Sequence, residues 1–325
     1  MEIRHLYESQ QLTPRRLSAL MTRADELKEL SRKGPRNLPQ TLDRYIMASL
    51  FYEPSTRTRF SHEAAMIRLG GEVIGTENAA QFSSAKKGES LADTVRVMGR
   101  QGGLLGYEDI VVVRHTEEGE IKKASEVSSI PIINAGDGPG QHPTQALLDV
   151  YTLQSEFGKI EGLNVAMVGD LKNGRTVKSL CYLLGKFNDI NITFVSPDWL
   201  AMSPNIKAYL KRHEINYRET AEFEDVLQSH DAIYMTRIQR EREQGISDEE
   251  FQRAEDMFAI TKDNLPLVPS ESRILHPLPH LHELQIPYEA EETDRRIAYF
   301  RQANNGLYAR MALLEWSLMQ GPFEK

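Results

Sequence analysis

Two series of short apolar runs, each followed by a helix-like stretch, constrain this chain more than any other feature. In the first series the strand-like runs are Tyr45 to Phe51, Val73-Ile74-Gly75, Ile110 to Val113 and Pro131-Ile132-Ile133-Asn134. In the second they are Asn164 to Val168, Ile192 to Val195, Asp231 to Met235 and Arg273-Ile274-Leu275. Thr13-Pro14 reads as a cap and first helical residue before the stripe Leu17, Leu20, Met21, Ala24, Leu27 and Leu30. Helical spacing also follows Phe60, Leu91, Pro143, Arg175 and Ser203-Pro204, with another helix expected from Thr220. Ser247-Asp248-Glu249-Glu250 has the capping-box pattern for a helix to about Met257. Strands alternating with helices predict parallel sheets covered on both faces. The expected fold class is therefore α/β, with two doubly wound parallel-sheet domains joined by a long helix near 143–156. The expected division is 1–146 for the first domain and 147–302 for the second. A C-terminal helix within 303–325, carrying Leu307, Met311, Leu314 and Leu318, is expected to return to the first.

In such folds ligands lie at the carboxyl ends of strands. The distinctive polar residues fall there: Ser55, Arg114, the loop before His142, Asp170 to Arg175, Arg237, and His276 to Pro279. Ser55 stands where a strand hands over to a helix, and serine is a favoured cap. Thr56, Arg57, Thr58 and Arg59 place two hydroxyls and two guanidiniums beside the unpaired N–H groups of the first turn. That combination suits a phosphate or similar oxyanion; a capped helix with surface arginines is the plain alternative. Ser83 and Lys87 lie on a polar loop that composition alone reads as solvated. Arg114 emerges where an apolar strand ends. His142 and Gln145 open a helix, where His142 either donates to an oxygen or simply caps. Arg175 starts a helix, and strand alternation puts Arg237 and Gln239 on one side. Two guanidiniums are then available for a dicarboxylate.

Several classes are disfavoured. Gly169-Asp170-Leu171-Lys172-Asn173-Gly174-Arg175 lacks both the dinucleotide and the P-loop spacing. No HExxH pair and no G-x-S-x-G elbow occurs, so neither a metal nor serine-triad chemistry is expected. The net charge of -8 argues against nucleic acid or an anionic membrane as the main partner. A single cysteine, Cys181, fits a reducing cytoplasm. Met1 to His5 forms no apolar signal segment, and no stretch approaches the ~20 apolar residues of a membrane span.

Taken together the segments resemble the aspartate and ornithine carbamoyltransferase family. They are Ser55-Thr56-Arg57-Thr58-Arg59, Ser83 to Gly88, Arg114-His115, His142-Pro143-Thr144-Gln145, Gly174-Arg175-Thr176, Thr236-Arg237-Ile238-Gln239, His276-Pro277-Leu278-Pro279 and Gly306-Leu307-Tyr308-Ala309-Arg310. They are collinear over nearly the whole chain. Pro277 stands where the ornithine branch carries a cysteine, which favours the aspartate branch.

The resemblance implies transfer of the carbamoyl group of carbamoyl phosphate to L-aspartate, giving N-carbamoyl-L-aspartate and phosphate in pyrimidine synthesis. It implies direct attack with two closing domains, no covalent intermediate, no cofactor and no metal. Ser55, Thr56, Arg57 and Thr58 would hold phosphate. Thr58, Arg114 and His142 would stabilise the carbamoyl oxygen. Gln145 and the carbonyls of Leu278 and Pro279 would orient the carbamoyl nitrogen. Arg175, Arg237 and Gln239 would bind the aspartate carboxylates. Ser83 and Lys87 would reach a neighbouring subunit's site, which makes a homotrimer with shared active sites the expected assembly. Separate regulatory chains or another pyrimidine enzyme are compatible partners. His280 stands where the family pattern has arginine. The competing readings are a transcarbamylase with another amino acceptor and a non-catalytic assembly scaffold.

Overall fold

The computed structural model of the protein describes residues 4–243 and 245–319. Four strands, β1 (Ile46–Phe51), β2 (Glu72–Glu77), β3 (Ile110–His115) and β4 (Ile132–Asp137), form a parallel sheet in the order β2-β1-β3-β4. The second sheet draws on β5 (Asn164–Val168), β6 (Asn191–Val195), β7 (Asn216–Thr220) and β8 (Ala232–Met235). After the short β9 (Ile260–Thr261), β10 (Arg273–Leu275) completes it, in the order β10-β8-β5-β6-β7, all parallel. β11 (Leu284–Gln285) pairs with β9 alone. The two parallel α/β sheets are those the sequence alternation predicts.

The chain divides into two compact units, Met1–Tyr151 with Asn305–Lys325, and Thr152–Asn304. In the first unit Ala48, Leu50, Val111, Val113 and Ile132 bury one face of the sheet against Leu91, Val95, Ile121 and Ala124. In the second, Ala166, Val168, Ile233, Met235 and Ile274 pack with Val226, Leu227, Phe258 and Leu265. The central strands β3, β5 and β8 are buried through their apolar residues, which is why they read as continuous apolar runs.

Sequence expectation and structure part at β7. The sequence predicts a helix from Thr220, but Asn216–Thr220 is a strand and the helix begins at Phe223. This strand lies at the sheet edge with its residues mostly exposed, so it carries no apolar signal. Thr13 does cap the helix Pro14–Arg32, its side chain accepting from the Arg16 N–H. The capping box at Ser247 and Glu250 is complete. Among the described residues no helix is long and apolar enough to cross a membrane.

Candidate active site

In the first unit, β1 ends at Phe51 and the helix Thr56–Arg68 begins five residues later, with Ser55 in the cap position. Contrary to expectation, the Ser55 side chain makes no capping hydrogen bond. Its hydroxyl instead accepts from Arg114 Nη1 at 3.3 Å. The register explains this: Phe51 on β1 pairs with Arg114 on β3, so the two strand ends lie side by side. Glu53 holds the other edge of that guanidinium, accepting from Arg114 Nε at 3.0 Å. No acidic residue occupies the first helical turn, so the dipole's positive end has no counter-charge there.

Arg57 is exposed, and its guanidinium has no ion-pair or hydrogen-bond partner among the described residues. Partial burial first, and then the charge of Arg114, push its pKa down. Two like charges close enough to act on one another, Arg57 and Arg114, therefore stand with the Ser55 hydroxyl at an acid-free helix start. Arg59 does not join them: Glu63 at 2.9 Å and Glu77 at 2.6 Å neutralise it. Thr58 is buried, and so is His142, which immediately precedes the helix Pro143–Phe157. His142 Nδ1 lies 3.3 Å from the Thr144 hydroxyl. Gln145, also buried, gives its amide N–H to Asp149 Oδ1 at 2.9 Å. Lys87 stands apart on the turn Ser84–Lys87, which Ser83 caps by accepting from the Ala85 N–H. Neither makes a hydrogen bond or ion pair to Ser55, Thr56, Arg57 or Thr58 among the described residues.

In the second unit Arg175 opens the helix Arg175–Leu184 behind Gly174. Gly174 is required there, because a Cβ would lie 2.4 Å from the Asp170 carbonyl oxygen. Arg237 and Gln239 follow β8, and each is held by a carboxylate of the same unit. Glu241 accepts from Arg237 Nη1 at 3.1 Å and from Nη2 at 2.5 Å. Asp170, fully buried, accepts from the backbone and side-chain N–H groups of Gln239, both at 3.3 Å. Leu278 has φ +56°, a left-handed conformation rare for leucine. Its N–H donates to His276 Nδ1 at 2.7 Å, which leaves Nε2 to carry the ring proton, 2.9 Å from Glu283 Oε1. Burial is the largest single influence on the Glu283 pKa and raises it, but the contact and charge of His276 and the backbone N–H groups of Glu283 and Leu281 together outweigh it, and the carboxyl titrates low. Glu283 also accepts from the Leu281 N–H at 2.9 Å, so one carboxylate anchors the whole turn.

The carbamoyl-P binding domain of the aspartate/ornithine carbamoyltransferases matches residues 4–155, and their Asp/Orn binding domain matches residues 161–317. The chain belongs to the aspartate/ornithine carbamoyltransferase family. A chloroplastic aspartate carbamoyltransferase of Arabidopsis thaliana is 49% identical over 318 residues, spanning 98% of this chain and 78% of that protein. An aspartate carbamoyltransferase catalytic subunit of Methanocella arvoryzae is 44% identical over 98% of both chains. The crystal structure of aspartate transcarbamoylase from Trypanosoma cruzi, in complex with carbamoyl phosphate and aspartate, superposes with a TM-score of 0.85. It is 35% identical and covers 98% of this chain and 96% of its own.

Family resemblance found the residues expected to meet substrate but not those that hold them: Glu53, Asp149, Asp170, Glu241 and Glu283. Of these, Asp149 carried a local helical signal, standing four residues after Gln145 on one helix. His280, expected from the resemblance to stand in place of an arginine, is not unpaired. Its Nε2 lies 3.2 Å from Glu291 Oε1, and its ring packs 5.4 Å from that of Tyr299, whose hydroxyl also donates to Glu291.

Proposed function

We propose that this chain transfers the carbamoyl group of carbamoyl phosphate to L-aspartate, releasing N-carbamoyl-L-aspartate and phosphate. The carrying observation is the start of the helix Thr56–Arg68: an uncapped, acid-free first turn beside Arg57 and Arg114. Two like charges that depress each other's protonation gain most from a shared anion. Ser55, Thr56, Arg57 and Thr58 receive the phosphate. Thr58, Arg114 and His142 donate to the carbamoyl oxygen as the aspartate amine attacks and negative charge grows there. The C–N bond forms, the C–O bond breaks with its electron pair leaving on phosphate, and the amine gives up one proton to that departing phosphate. The acceptors that orient the carbamoyl nitrogen are Gln145 and the carbonyls of Leu278 and Pro279. Arg175, Arg237 and Gln239 take the aspartate carboxylates. The reaction is one of positioning and charge stabilisation.

The proposal includes a homotrimer in which Ser83 and Lys87 serve a neighbour's site. Phe60 and Ile67 on the helix Thr56–Arg68, Ile74 on the edge strand β2 and Phe82 beside Ser83 are all exposed. Exposed apolar residues on and next to an edge strand suit a second copy of the chain. A cytoplasmic site of action is part of the same reading, although the Arabidopsis relative is named chloroplastic.

The test is steady-state carbamoylation by the purified chain against a panel containing aspartate and ornithine, with native mass measured alongside. Turnover of aspartate by a trimer is expected. Preference for ornithine would overturn the acceptor assignment, and absence of turnover would favour a scaffold. Mixing Lys87→Ala with Arg57→Ala chains, each strongly impaired alone at low carbamoyl phosphate, should restore some activity under those conditions; no recovery in any mixture would refute the shared site.

A further inference from the structure

The Gly306-to-Arg310 segment and Asp149 are left without a role by the reaction just described. Arg310, on the helix Tyr299–Leu318, is almost wholly buried, as is Asp149, and Gln145 is nearly so. Burial pushes the Arg310 pKa down to about 10, Asp149 opposing that fall. Arg310 therefore keeps its charge near neutrality, with Asp149 as the anion that supports it. A Cβ at Gly306 would lie 2.4 Å from Arg310 Nη1 and 3.1 Å from Leu148 Cδ2. Glycine at 306, one turn before Arg310, thus makes room for the guanidinium beside the helix that carries Leu148, Asp149 and Gln145. His62 in the same unit is also fully buried, with Nδ1 2.8 Å from the Thr58 carbonyl oxygen. Arg310's charge also lowers the His62 pKa, after burial, so His62 is neutral and its Nδ1–H is the donor.

A carboxamide can be turned end for end with little change in shape. What faces it decides which end points outward. A carboxylate only accepts hydrogen bonds, so Gln145 must offer Asp149 its NH₂ end. The opposite end, Oε1, is then the one available to a ligand. The amide of carbamoyl phosphate presents two N–H donors and needs an acceptor of that kind.

We propose that Asp149 and Arg310 are positioning residues: the buried pair fixes the polarity of the Gln145 carboxamide, so that its oxygen receives the carbamoyl NH₂. The inference rests on the transcarbamylase reading above. Arg310 supplies the positive charge that acts on Asp149, and Asp149 orients Gln145; neither touches substrate. With Asp149→Asn, the single acceptor of the new side chain turns to the guanidinium. Its NH₂ then faces Gln145, which flips and offers donors to a donor.

The experiment uses the whole chain, with inorganic phosphate as a probe of the anion site. Asp149→Asn is expected to lower kcat at least tenfold, while inhibition by phosphate stays within twofold of the parent. Combining it with Gln145→Glu exchanges the charge between the two positions. The carboxylate introduced at position 145 accepts from the carboxamide introduced at position 149 and offers its second oxygen outward. The double variant is expected to regain at least fivefold in kcat over Asp149→Asn. A purely structural role would give no such rescue. Parent-like kcat in Asp149→Asn, or no gain in the double variant, overturns the proposal. If Asp149→Asn does not fold, Gly306→Ala displaces the Arg310 guanidinium without changing charge. It should lower kcat with phosphate inhibition retained, and unchanged kcat overturns the proposal equally. Failure of the parent chain to carbamoylate any amine would refute the underlying reaction instead, a result distinct from all of these.

Discussion

The two units prepare for negatively charged ligands in opposite ways. In the first, the cations are left in excess: Arg57 has no partner among the described residues and repels Arg114, beside a helix start that neither a cap nor an acid closes. In the second, the chain supplies its own carboxylates. Glu241 grips Arg237, Asp170 holds Gln239, and Glu243 ties Lys172 at 2.9 Å and the Asn173 amide at 2.8 Å. The first arrangement stores electrostatic repulsion that a bound anion relieves. The second fixes side-chain directions in advance and gives up some of the attraction a substrate could gain. A multiply charged phosphate, which carries most of its recognition in charge, suits the former. A dicarboxylate, which must be told apart from other amino acids by geometry, suits the latter.

The largest break in this comparison comes from Arg57→Ala. A hydrogen bond to a charged group contributes about 1.5–3 kcal/mol, so the KM for carbamoyl phosphate should rise roughly 10- to 150-fold. The variant also loses the repulsion on Arg114 and should show weaker salt dependence of phosphate inhibition than the parent. Initial rates across carbamoyl-phosphate concentration at two ionic strengths check both. Parent-like turnover would mean the anion site lies elsewhere.

Much of the first unit's site was legible because its parts are neighbours in sequence. Ser55 to Thr58 form one turn, and helix-start chemistry is local. What stayed hidden is pairing across strands. Nothing in the sequence shows that Arg114, 59 residues on, takes the Ser55 hydroxyl from its capping role. Gln239 and Asp170 lie 69 residues apart and meet only because β5 and β8 are adjacent in the sheet. The apolar periodicity that predicted the sheets reports burial, so the exposed edge strand β7 escaped it. Polar partners add a further difficulty: spacing places Asp149 next to Gln145, but the direction of the carboxamide follows only from the buried environment.

A second, intermediate effect compares a buried histidine in each unit. His62 in the first has Nδ1 on the Thr58 carbonyl and no partner for Nε2 among the described residues, and burial holds its pKa well below the usual value. His230 in the second is bonded at both nitrogens, to the Val226 carbonyl at 3.0 Å and the Thr193 hydroxyl at 2.8 Å, and its pKa is also lowered by burial. Both folded-state values lie below that of the unfolded chain. Above about 6.5 both states are neutral and neither group affects stability. Below it the unfolded chain takes up protons that the folded chain refuses, so stability falls with pH until the folded value is reached. Each such group contributes at most about 1.4 kcal/mol per pH unit. Unfolding midpoints between about pH 7.5 and 5.5 should therefore decline in the parent. His62→Gln, which keeps a donor for the Thr58 carbonyl, should flatten that decline more than His230→Gln does. Parallel curves for all three proteins would show that the two histidines do not set the acid limit.

The smallest effect tests the second unit's way of holding its cation. Glu241 uses Nη1 and Nη2 of Arg237, but a guanidinium has five N–H donors, so the grip does not exhaust it. The pair is half exposed, which limits it to about 0–1 kcal/mol. Two outcomes are physically distinct. If Glu241 orients Arg237, Glu241→Gln frees the side chain to other rotamers, and aspartate binding must then supply the free energy of ordering it. The KM for aspartate rises roughly two- to fivefold, with that for carbamoyl phosphate unchanged. If Glu241 competes with the substrate carboxylate, the same change lowers the KM for aspartate. The first outcome is expected, because the remaining Arg237 donors can meet a substrate without displacing Glu241. Aspartate saturation curves for parent and variant, at saturating carbamoyl phosphate, decide between them. A fall in KM would mean that the carboxylates of the second unit occupy the aspartate position rather than shape it, and the contrast between the two units would become one of an open site against a self-blocked one.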